Sequence, residues 1–275
     1  MAIQTADRPL VYVIADYGDL HDLAFAEVTQ RLHHELQGLD CDVHTFAVPA
    51  FDTFATGFAL AQTALNSKLG ARQKFFVNTA PRKDDLTPRT RNAGEGFVYA
   101  KLVNGVEICA VNSGHSLAFV KDAAVEIRQI KCDVHGSQFR SRDIFPAAFA
   151  TILKGDYSIL GEDVRDCVPD FPHDVVCYTD GYGNMKCSMD PARLDALKGR
   201  HLILNINGRV QVARAAEGIF GVADGEYCIS AGSSGWTYPN GKTVRFTEVV
   251  KRGGNAAKTF GKPPGGIPIH WRTTE

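Results

Sequence analysis

The chain has 275 residues, of which 44% are apolar, with 30 basic and 31 acidic side chains. This length and apolar content exceed what one small domain needs, so we expect two domains, each with its own core. The formal net charge of -1 excludes the strong positive field by which proteins attract nucleic acid or an anionic membrane surface. The expected partner is therefore a small molecule.

The first residues, MAIQTADRPL, lack the basic and apolar regions of a signal peptide, and no later run reaches the roughly 18 apolar residues of a membrane span. We therefore expect a cytoplasmic protein that does not bind membranes. The seven cysteines include no CxxC pair, and their odd number together with a reducing compartment argues against disulfides. The nine histidines show no HxxxH or HExxH spacing, so we expect no metal.

The amino-terminal part of the chain alternates between strand-like and helix-like patterns. An apolar run over Leu10–Ala15 has the length of a strand that is covered on both faces. Apolar positions between residues 19 and 36 suit one face of a helix, with Asp19 as its N-cap. The patterns that follow predict a strand at 43–48, a helix at 53–67 and a strand at 74–78. This alternation predicts a largely parallel sheet.

Residues 79–96 are rich in Pro, Arg, Lys, Asp and Gly, which predicts either a disordered insert or a loop at the site. Strands at 97–103 and 106–110 follow, joined by Asn104-Gly105, a strong signal for a tight hairpin. A helix is predicted at 142–154. Residues 166–174 carry two prolines and lack periodicity, so we place the domain boundary there, between a domain at 1–165 and one at 175–275.

The second domain has a different pattern. Short β-like runs are separated by Gly-rich and Asn-rich turns, and they cover residues 175–179, 201–206, 209–214, 227–231 and 243–251. A small β-rich domain, sandwich or barrel, is the predicted form. The sequence thus predicts an α/β protein, in which an amino-terminal domain with a largely parallel central sheet precedes a smaller β-rich domain.

Asp16 directly follows the first apolar strand. In open α/β sheets ligands bind beyond the carboxyl ends of the strands. A carboxylate there suits a bidentate hydrogen bond to a ribose diol. The alternative is an aspartate that forms a turn or caps a helix. No GxGxxG motif follows, so a dinucleotide-binding fold is not indicated.

The segment 137–145 places two arginines, two serines and an acid just before the predicted helix. Backbone amides at this helix start, with Ser141 as N-cap, can hold an anion or a polarised water. Simple capping, with Arg140 and Arg142 in solvent, is the alternative. In the second domain, the Gly-rich segment from Asp180 to Asn184 is typical of a tight turn.

These pieces stand in an order that resembles the family of S-adenosyl-L-methionine (SAM) hydrolases, also called SAM hydroxide adenosyltransferases, which includes the fluorinase and chlorinase enzymes. The resemblance covers nearly the whole chain. At the first motif the family has Asp-Phe-Gly or Asp-Leu-Gly. The matching segments are Asp16-Tyr17-Gly18, Phe51-Asp52, Asn112-Ser113-Gly114, Phe139-Arg140-Ser141-Arg142-Asp143, Asp180-Gly181-Tyr182-Gly183-Asn184, Ser233-Ser234-Gly235-Trp236 and Asn255-Ala256-Ala257.

The resemblance implies a homotrimer, with sites between the first domain of one subunit and the second domain of its neighbour. It implies that SAM is the substrate and that no cofactor is needed. The substrate-binding residues that it implies are Asp16 for the ribose 2′- and 3′-hydroxyls, Phe51 for an apolar wall of the ribose pocket, Asp180 for the methionine ammonium, Ser233 near the methionine end, and Tyr182 and Asn184 at the adenine and methionine side.

The implied chemistry is displacement at C5′ of the ribose, which releases L-methionine. Because the sulfonium is already a good leaving group, the protein has to hold a nucleophile in line with the C–S bond and strip it of water. We expect water as the nucleophile, giving adenosine, because hydrolases dominate the family. The alternatives are a halide, giving 5′-halo-5′-deoxyadenosine, and binding of SAM or another adenine nucleoside without turnover.

The residues expected around the nucleophile depart from the family. Ala80 stands where the hydrolase has Asp and the fluorinase has Tyr, and Arg140 stands where the hydrolase has His and the halogenases have Tyr. Ser141 matches the fluorinase, whose serine helps to bind the halide, so Ser141 and Arg140 are the catalytic candidates. His21 stands where the family usually has Asp. Four basic residues are candidates for a lid over the site, namely Arg82, Lys83, Arg89 and Arg91.

Overall fold

The computed structural model describes residues 8–80, 95–133, 137–238 and 240–274. The chain forms two compact units, Met1–Asp170 and Phe171–Glu275. The division between them falls inside residues 166–174, the segment in which the sequence places a domain boundary. Among the described residues, no helix is long and apolar enough to cross a bilayer.

The first unit is built on a seven-stranded sheet with the strand order β2-β1-β3-β5-β4-β6-β7. Its strands are β1 (Leu10–Ala15), β2 (Asp42–Ala47), β3 (Gln73–Asn78), β4 (Phe97–Leu102), β5 (Glu107–Val111), β6 (Ala124–Ile130) and β7 (Leu160–Asp163). Its helices in the described ranges are α1 (Leu23–Glu35), α2 (Thr53–Leu65), α3 (Arg140–Asp143) and α4 (Phe145–Leu153).

The sheet is mixed rather than largely parallel. Strands β2, β1, β3 and β5 pair in parallel, whereas β4, β6 and β7 join through antiparallel pairs. The turn at Asn104-Gly105 returns the chain as a hairpin, and Gly105 has a φ of 84° there, a conformation that glycine adopts without steric cost. Asp16 therefore lies on the parallel half, where neighbouring strands end at one edge.

Helix α1 begins later than the sequence predicts. Its N-cap is Asp22, whose carboxylate accepts a hydrogen bond from the Ala24 N–H at 2.9 Å. Asp19, the predicted cap, instead accepts from the His21 N–H at 2.8 Å within the preceding turn. Both carboxylates can satisfy an otherwise unpaired backbone donor, so the sequence pattern alone does not distinguish them. Beyond the cap, Phe25, Val28 and Leu32 face the core.

The segment after residue 139 forms two short helices instead of one. Helix α3 ends at Asp143, Ile144 interrupts the helical backbone, and Pro146 lies in the first turn of α4. Ser141 is therefore inside α3 and only 5% exposed. The N-cap residue of α3 is Phe139, which makes no side-chain capping bond. The predicted capping role of Ser141 is wrong, because the helix starts at Arg140, two residues before the predicted start at 142.

The second unit is a curled, seven-stranded sheet with the order β14-β10-β11-β12-β13-β9-β8. At one end its two edge strands meet, since Gly266 N–H donates to Val176 O at 2.8 Å and Ile269 N–H donates to Asp174 O at 2.9 Å. The sheet is thus a half-barrel. Its elements are β8 (Val176–Thr179), β9 (Met185–Cys187), β10 (His201–Ile206), β11 (Arg209–Ala215), β12 (Tyr227–Thr237), β13 (Thr243–Lys251), α5 (Ala256–Thr259) and β14 (Ile269–Thr273).

Gly57 marks the place where α2 touches a neighbouring segment. A Cβ atom at this position would lie 2.4 Å from the carbonyl oxygen of His115 and 2.5 Å from the Phe119 ring. Gly57→Ala is expected to destabilise the first unit by about 1–3 kcal/mol through overpacking, although alanine is the better helix former. Denaturant unfolding followed by circular dichroism measures the change.

Gly218→Ala is the matched control, located in the second unit. Gly218 has an extended backbone, and no atom lies within 4 Å of the Cβ that would be added. Its effect is expected to stay within about 0.5 kcal/mol. A Gly57→Ala protein as stable as this control would contradict the close packing of α2.

Candidate functional site

The Asp16 carboxylate lies at the carboxyl end of β1, between β2 and β3 in the sheet. Its Oδ2 atom accepts hydrogen bonds from the backbone N–H of Phe51 at 2.9 Å and of Ala80 at 3.1 Å. The side chain is buried, with 8% of the residue exposed. Asp16 therefore neither caps α1 nor closes a local turn through these bonds; it connects loops that follow two different strands.

Phe51 has a left-handed backbone, with φ at 64°. Such a conformation costs a non-glycine residue on the order of 1–3 kcal/mol and persists only where the surroundings enforce it. Asp16 holds the Phe51 N–H, and Asp52 caps α2 by accepting from the Ala55 N–H at 2.8 Å. The strained residue thus stands between two carboxylate contacts, a placement typical of functional sites.

Two buried threonines support the loop after β3. Thr56 donates its hydroxyl proton to the Asp52 carbonyl oxygen at 2.8 Å, and its oxygen lies 2.6 Å from the Thr79 hydroxyl. Because each hydroxyl has one proton, Thr79 donates to Thr56. Thr79 is 1% exposed. The sequence analysis did not single out either threonine, since their contact joins positions 23 residues apart.

Tyr17 follows Asp16 and packs edge-on against Phe25 at 5.0 Å and Phe139 at 5.9 Å between ring centroids. Its hydroxyl is buried and makes no hydrogen bond of standard geometry with any described residue. Burial raises the pKa of this phenol strongly; the nearby Ser141 side chain partly offsets the rise, and the Asp16 charge adds to it. Tyr17 is therefore a neutral O–H group close to Ser141.

Arg140, the other catalytic candidate, lies beside Ser141 in sequence but has different neighbours. Its guanidinium carbon is 5.8 Å from the centroid of the Phe145 ring, and its Nη1 is 3.5 Å from the Glu95 carbonyl oxygen, at the limit of a hydrogen bond. Burial raises the pKa of the Cys132 thiol, and the Arg140 charge lowers it in part. Within the described chain, these contacts bring Arg140 to Cys132 and the Glu95 backbone rather than to Asp16.

His21, the remaining departure from the family pattern, lies at the surface of unit 1. His21 is exposed, and its backbone N–H bonds to Asp19. The candidates for a lid lie outside the described residues, namely Arg82, Lys83, Arg89 and Arg91. In the described ranges, no group of three or more His, Cys, Asp or Glu side chains could hold a metal ion.

In the second unit, Asp180 accepts four hydrogen bonds. Its Oδ1 takes the backbone N–H of Tyr182 and of Asn184, both at 3.0 Å. Its Oδ2 takes the Asn184 side-chain amide at 3.1 Å and the Lys186 ammonium at 3.0 Å. Burial opposes ionisation of Asp180, but the Asn184 N–H and the Lys186 charge outweigh it and lower the pKa of this carboxyl.

The three other predicted binding residues of this unit differ in exposure. Tyr182 is 81% exposed and projects from the turn. Asn184 is half-buried and bonds to Asp180. Ser233 is exposed and lies where β12 shifts register against β13, between Ala231 and Gly235. The structure therefore joins Asn184 to Asp180, while Tyr182 projects into solvent.

Sequence reasoning missed Lys186 and Glu248. Lys186 lies directly opposite Glu248 on the neighbouring strand, and its Nζ atom is 2.6 Å from Glu248 Oε1. Burial lowers the pKa of Lys186, but Glu248 and Asp180 more than compensate, so the pKa is raised and the ammonium stays charged. A lysine and a glutamate on separate strands carry no motif, which is why only the fold could pair them.

Comparison with known proteins bears on the fold. No protein-family model matches the chain, and no curated protein matches its sequence. An uncharacterized conserved protein from Thermotoga maritima has a similar structure at 17% identity and a TM-score of 0.68, with 95% of this chain and 99% of that chain covered. A conserved hypothetical protein from Thermus thermophilus is similar at 19% identity and a TM-score of 0.65, covering 96% of this chain and 100% of that chain. At these identities the similarity shows a mixed α/β fold alone.

Proposed function

We propose that the protein cleaves SAM by nucleophilic displacement at C5′ of the ribose, with water as nucleophile and with adenosine and L-methionine as products. The observation that carries the proposal is the buried Asp16 carboxylate, fixed by the Phe51 and Ala80 amides at the end of β1. The two amides set the orientation of this carboxylate before a ligand arrives. Such a group suits the two hydroxyls of a ribose.

The position of Asp16 supports a nucleoside ligand more than a structural role. Ligands of open α/β sheets bind beyond the carboxyl ends of parallel strands, and β1 has a parallel neighbour on each side. The strained backbone of Phe51 supports the same assignment, because strain of this kind is concentrated at ligand sites. The motif order in the sequence specifies the nucleoside as SAM.

The Tyr17 and Ser141 hydroxyls are the groups we assign to the nucleophile. Both are buried, and Tyr17 remains protonated because its pKa is raised. Two neutral O–H groups can orient a water molecule and replace part of its lost hydration, which is catalysis by positioning and desolvation. As the C–O bond forms, the C–S bond breaks, its electron pair stays on sulfur, and the water proton passes to solvent.

Halide transfer is the second candidate. A halide ion accepts hydrogen bonds and requires donors that replace its hydration shell, and the Tyr17 and Ser141 hydroxyls are donors of this kind. The product would then be a 5′-halo-5′-deoxyadenosine.

The proposed function also includes the homotrimer that the family resemblance implies.

Incubation of the pure protein with SAM, followed by chromatography of the products, tests the proposal. Adenosine and L-methionine are expected, in equal amounts and independent of chloride. Formation of 5′-chloro-5′-deoxyadenosine only in the presence of chloride would favour halide transfer. SAM that is bound but unchanged under both conditions would reject both reactions and leave a binding protein.

Replacement of Asp16 by asparagine tests the ribose contact. Asp16→Asn keeps an oxygen for the two backbone amides but removes the charge, and hydrogen bonds to charged groups contribute about 1.5–3 kcal/mol. Affinity for adenosine is expected to fall about 10- to 100-fold, whereas affinity for 2′,3′-dideoxyadenosine is expected to stay the same. Isothermal titration calorimetry measures both ligands.

Asp40→Asn is the control for this experiment, because Asp40 is an exposed carboxylate that pairs with Arg8 on the surface. It is expected to bind both nucleosides as the wild type does. An Asp16→Asn protein that loses affinity for the two nucleosides equally would contradict a contact to the ribose hydroxyls.

Replacement of Tyr17 by phenylalanine tests the nucleophile site. Tyr17→Phe keeps the ring contacts with Phe25 and Phe139 and removes a buried hydroxyl, so the protein is expected to remain folded. The turnover rate is expected to fall about 10-fold or more, with unchanged affinity for SAM. Single-turnover kinetics and equilibrium binding separate the two quantities.

Tyr12→Phe on the same strand is the control, because the Tyr12 ring stacks on Phe75 at 5.3 Å, away from the groups assigned to the nucleophile. It is expected to leave turnover unchanged. Equal turnover rates in the wild type and in Tyr17→Phe would remove Tyr17 from the mechanism without affecting the role of Asp16.

A further inference from the structure

A polar row crosses four adjacent strands of the second unit. Its members stand directly opposite one another in the strand register, and they are Ser230 on β12, Glu248 on β13, Lys186 on β9 and Tyr178 on β8. Side chains alternate between the two faces of a strand. Because Met185 and Val249 belong to the hydrophobic core, the polar row occupies the opposite face.

Lys186 and Ser230 of the polar row are buried and Glu248 is half-buried, although the row lies on the face opposite that core. Lys186 is 9% exposed and Ser230 is 4% exposed. The side chain of Glu248 is 15% exposed. The Lys186 ammonium lies between Asp180 and Glu248, so this group of three ionised side chains has one negative charge in excess. An excess charge that is partly withdrawn from water is costly unless something compensates it, and a cation is the matching compensation.

Asp180 has no acceptor capacity left for that cation. Its two oxygens already accept from two backbone amides, one side-chain amide and the Lys186 ammonium. Four hydrogen bonds are about the limit of a carboxylate. A ligand ammonium would have to displace one of these internal donors before it could bond to Asp180.

Glu248 does have capacity. Its Oε1 accepts from Lys186, and among the described residues its Oε2 has no hydrogen-bond partner. Lys186 has three N–H donors, two of which point to Asp180 and Glu248. One carboxylate oxygen and one ammonium proton therefore remain side by side.

On the neighbouring strand β12, Gly232 leaves room for the Glu248 side chain. A Cβ atom on Gly232 would lie 2.5 Å from Glu248, so only glycine lets β12 pass this close. Ser233 follows at the register shift. The segment that family resemblance assigns to the methionine end thus follows directly on the residue that contacts Glu248.

We propose that Glu248, and not Asp180, accepts the ammonium of an α-amino acid group, and that the third N–H of Lys186 donates to its carboxylate. The ligand class is a zwitterionic amino acid end, as in L-methionine or SAM. This assignment rests on the proposed function, because it identifies the methionine end of the same substrate. Asp180 is a positioning residue that holds Lys186 and the turn through Asn184.

The test compares L-methionine with 4-(methylthio)butanoate, which is methionine without its amino group, by calorimetry on the full-length protein. The wild type is expected to prefer L-methionine. Glu248→Gln keeps an oxygen for Lys186 but loses the charge, so its affinity for L-methionine is expected to fall about 10- to 100-fold. Its affinity for the deaminated acid is expected to stay the same, which a merely structural effect would not produce.

Asp180→Asn is the matched variant. It is expected to retain the preference for L-methionine, because the ammonium acceptor is elsewhere. Loss of the preference in Asp180→Asn together with its retention in Glu248→Gln would overturn the inference. Thermal unfolding of both variants shows whether the second unit is intact. Glu248→Asp provides a second test, because it keeps the negative charge on a side chain that is one methylene shorter.

The outcomes also separate this inference from the proposed function. A wild-type protein that binds L-methionine through Glu248 but leaves SAM uncleaved keeps the inference and rejects the reaction. A protein that cleaves SAM but binds L-methionine and the deaminated acid equally well keeps the reaction and rejects the inference. Failure to bind either acid rejects the inference as well.

Discussion

The hydrogen bonds from the Phe51 and Ala80 amides to the Asp16 carboxylate are the constraint on which the first unit's candidate site depends. They join the ends of three neighbouring parallel strands, β1, β2 and β3, through loops of very different sequence. A buried carboxylate such as Asp16 that lost these donors would cost about 1–3 kcal/mol. The loops that follow β1, β2 and β3 are therefore held in one arrangement relative to one another.

This arrangement has consequences beyond Asp16. It holds Phe51 in its left-handed backbone, and α2 begins two residues later with the Asp52 cap. It also holds Ala80, and the preceding residue Thr79 is bonded through its hydroxyl to Thr56 on α2. A change at any of these contacts is transmitted to the carboxylate, so the precision of the site comes from backbone amides and buried hydroxyls rather than from the residues that would touch a ligand.

In the second unit, a carboxylate likewise holds a turn through hydrogen bonds. Asp180 organises residues 180–184 with four hydrogen bonds, and Gly183 has a φ of 84° where a Cβ atom would lie 2.1 Å from the Asn255 side chain. The Ala257 N–H donates to the Gly183 carbonyl oxygen at 2.9 Å. The turn and the Asn255-Ala256-Ala257 segment are therefore one structural unit, which explains why both motifs occur together in the chain without requiring that Asp180 contact a ligand.

The sequence alone determined the elements whose signal is local. The apolar run of β1, the β-like runs of β10 and β13, and the Thr53 start of α2 follow from neighbouring residues and match the structure in their bounds or starting residue. Asp16 was also recognisable, because a polar residue at the end of a buried strand is a local feature. The tertiary structure decided what depends on distant partners. It selected Asp22 over Asp19 as the α1 cap, placed Ser141 inside a helix, and left the Tyr17 hydroxyl beside it. It paired Lys186 with Glu248 across 62 positions, a contact that no local pattern contains, because strand register alone sets which side chains meet.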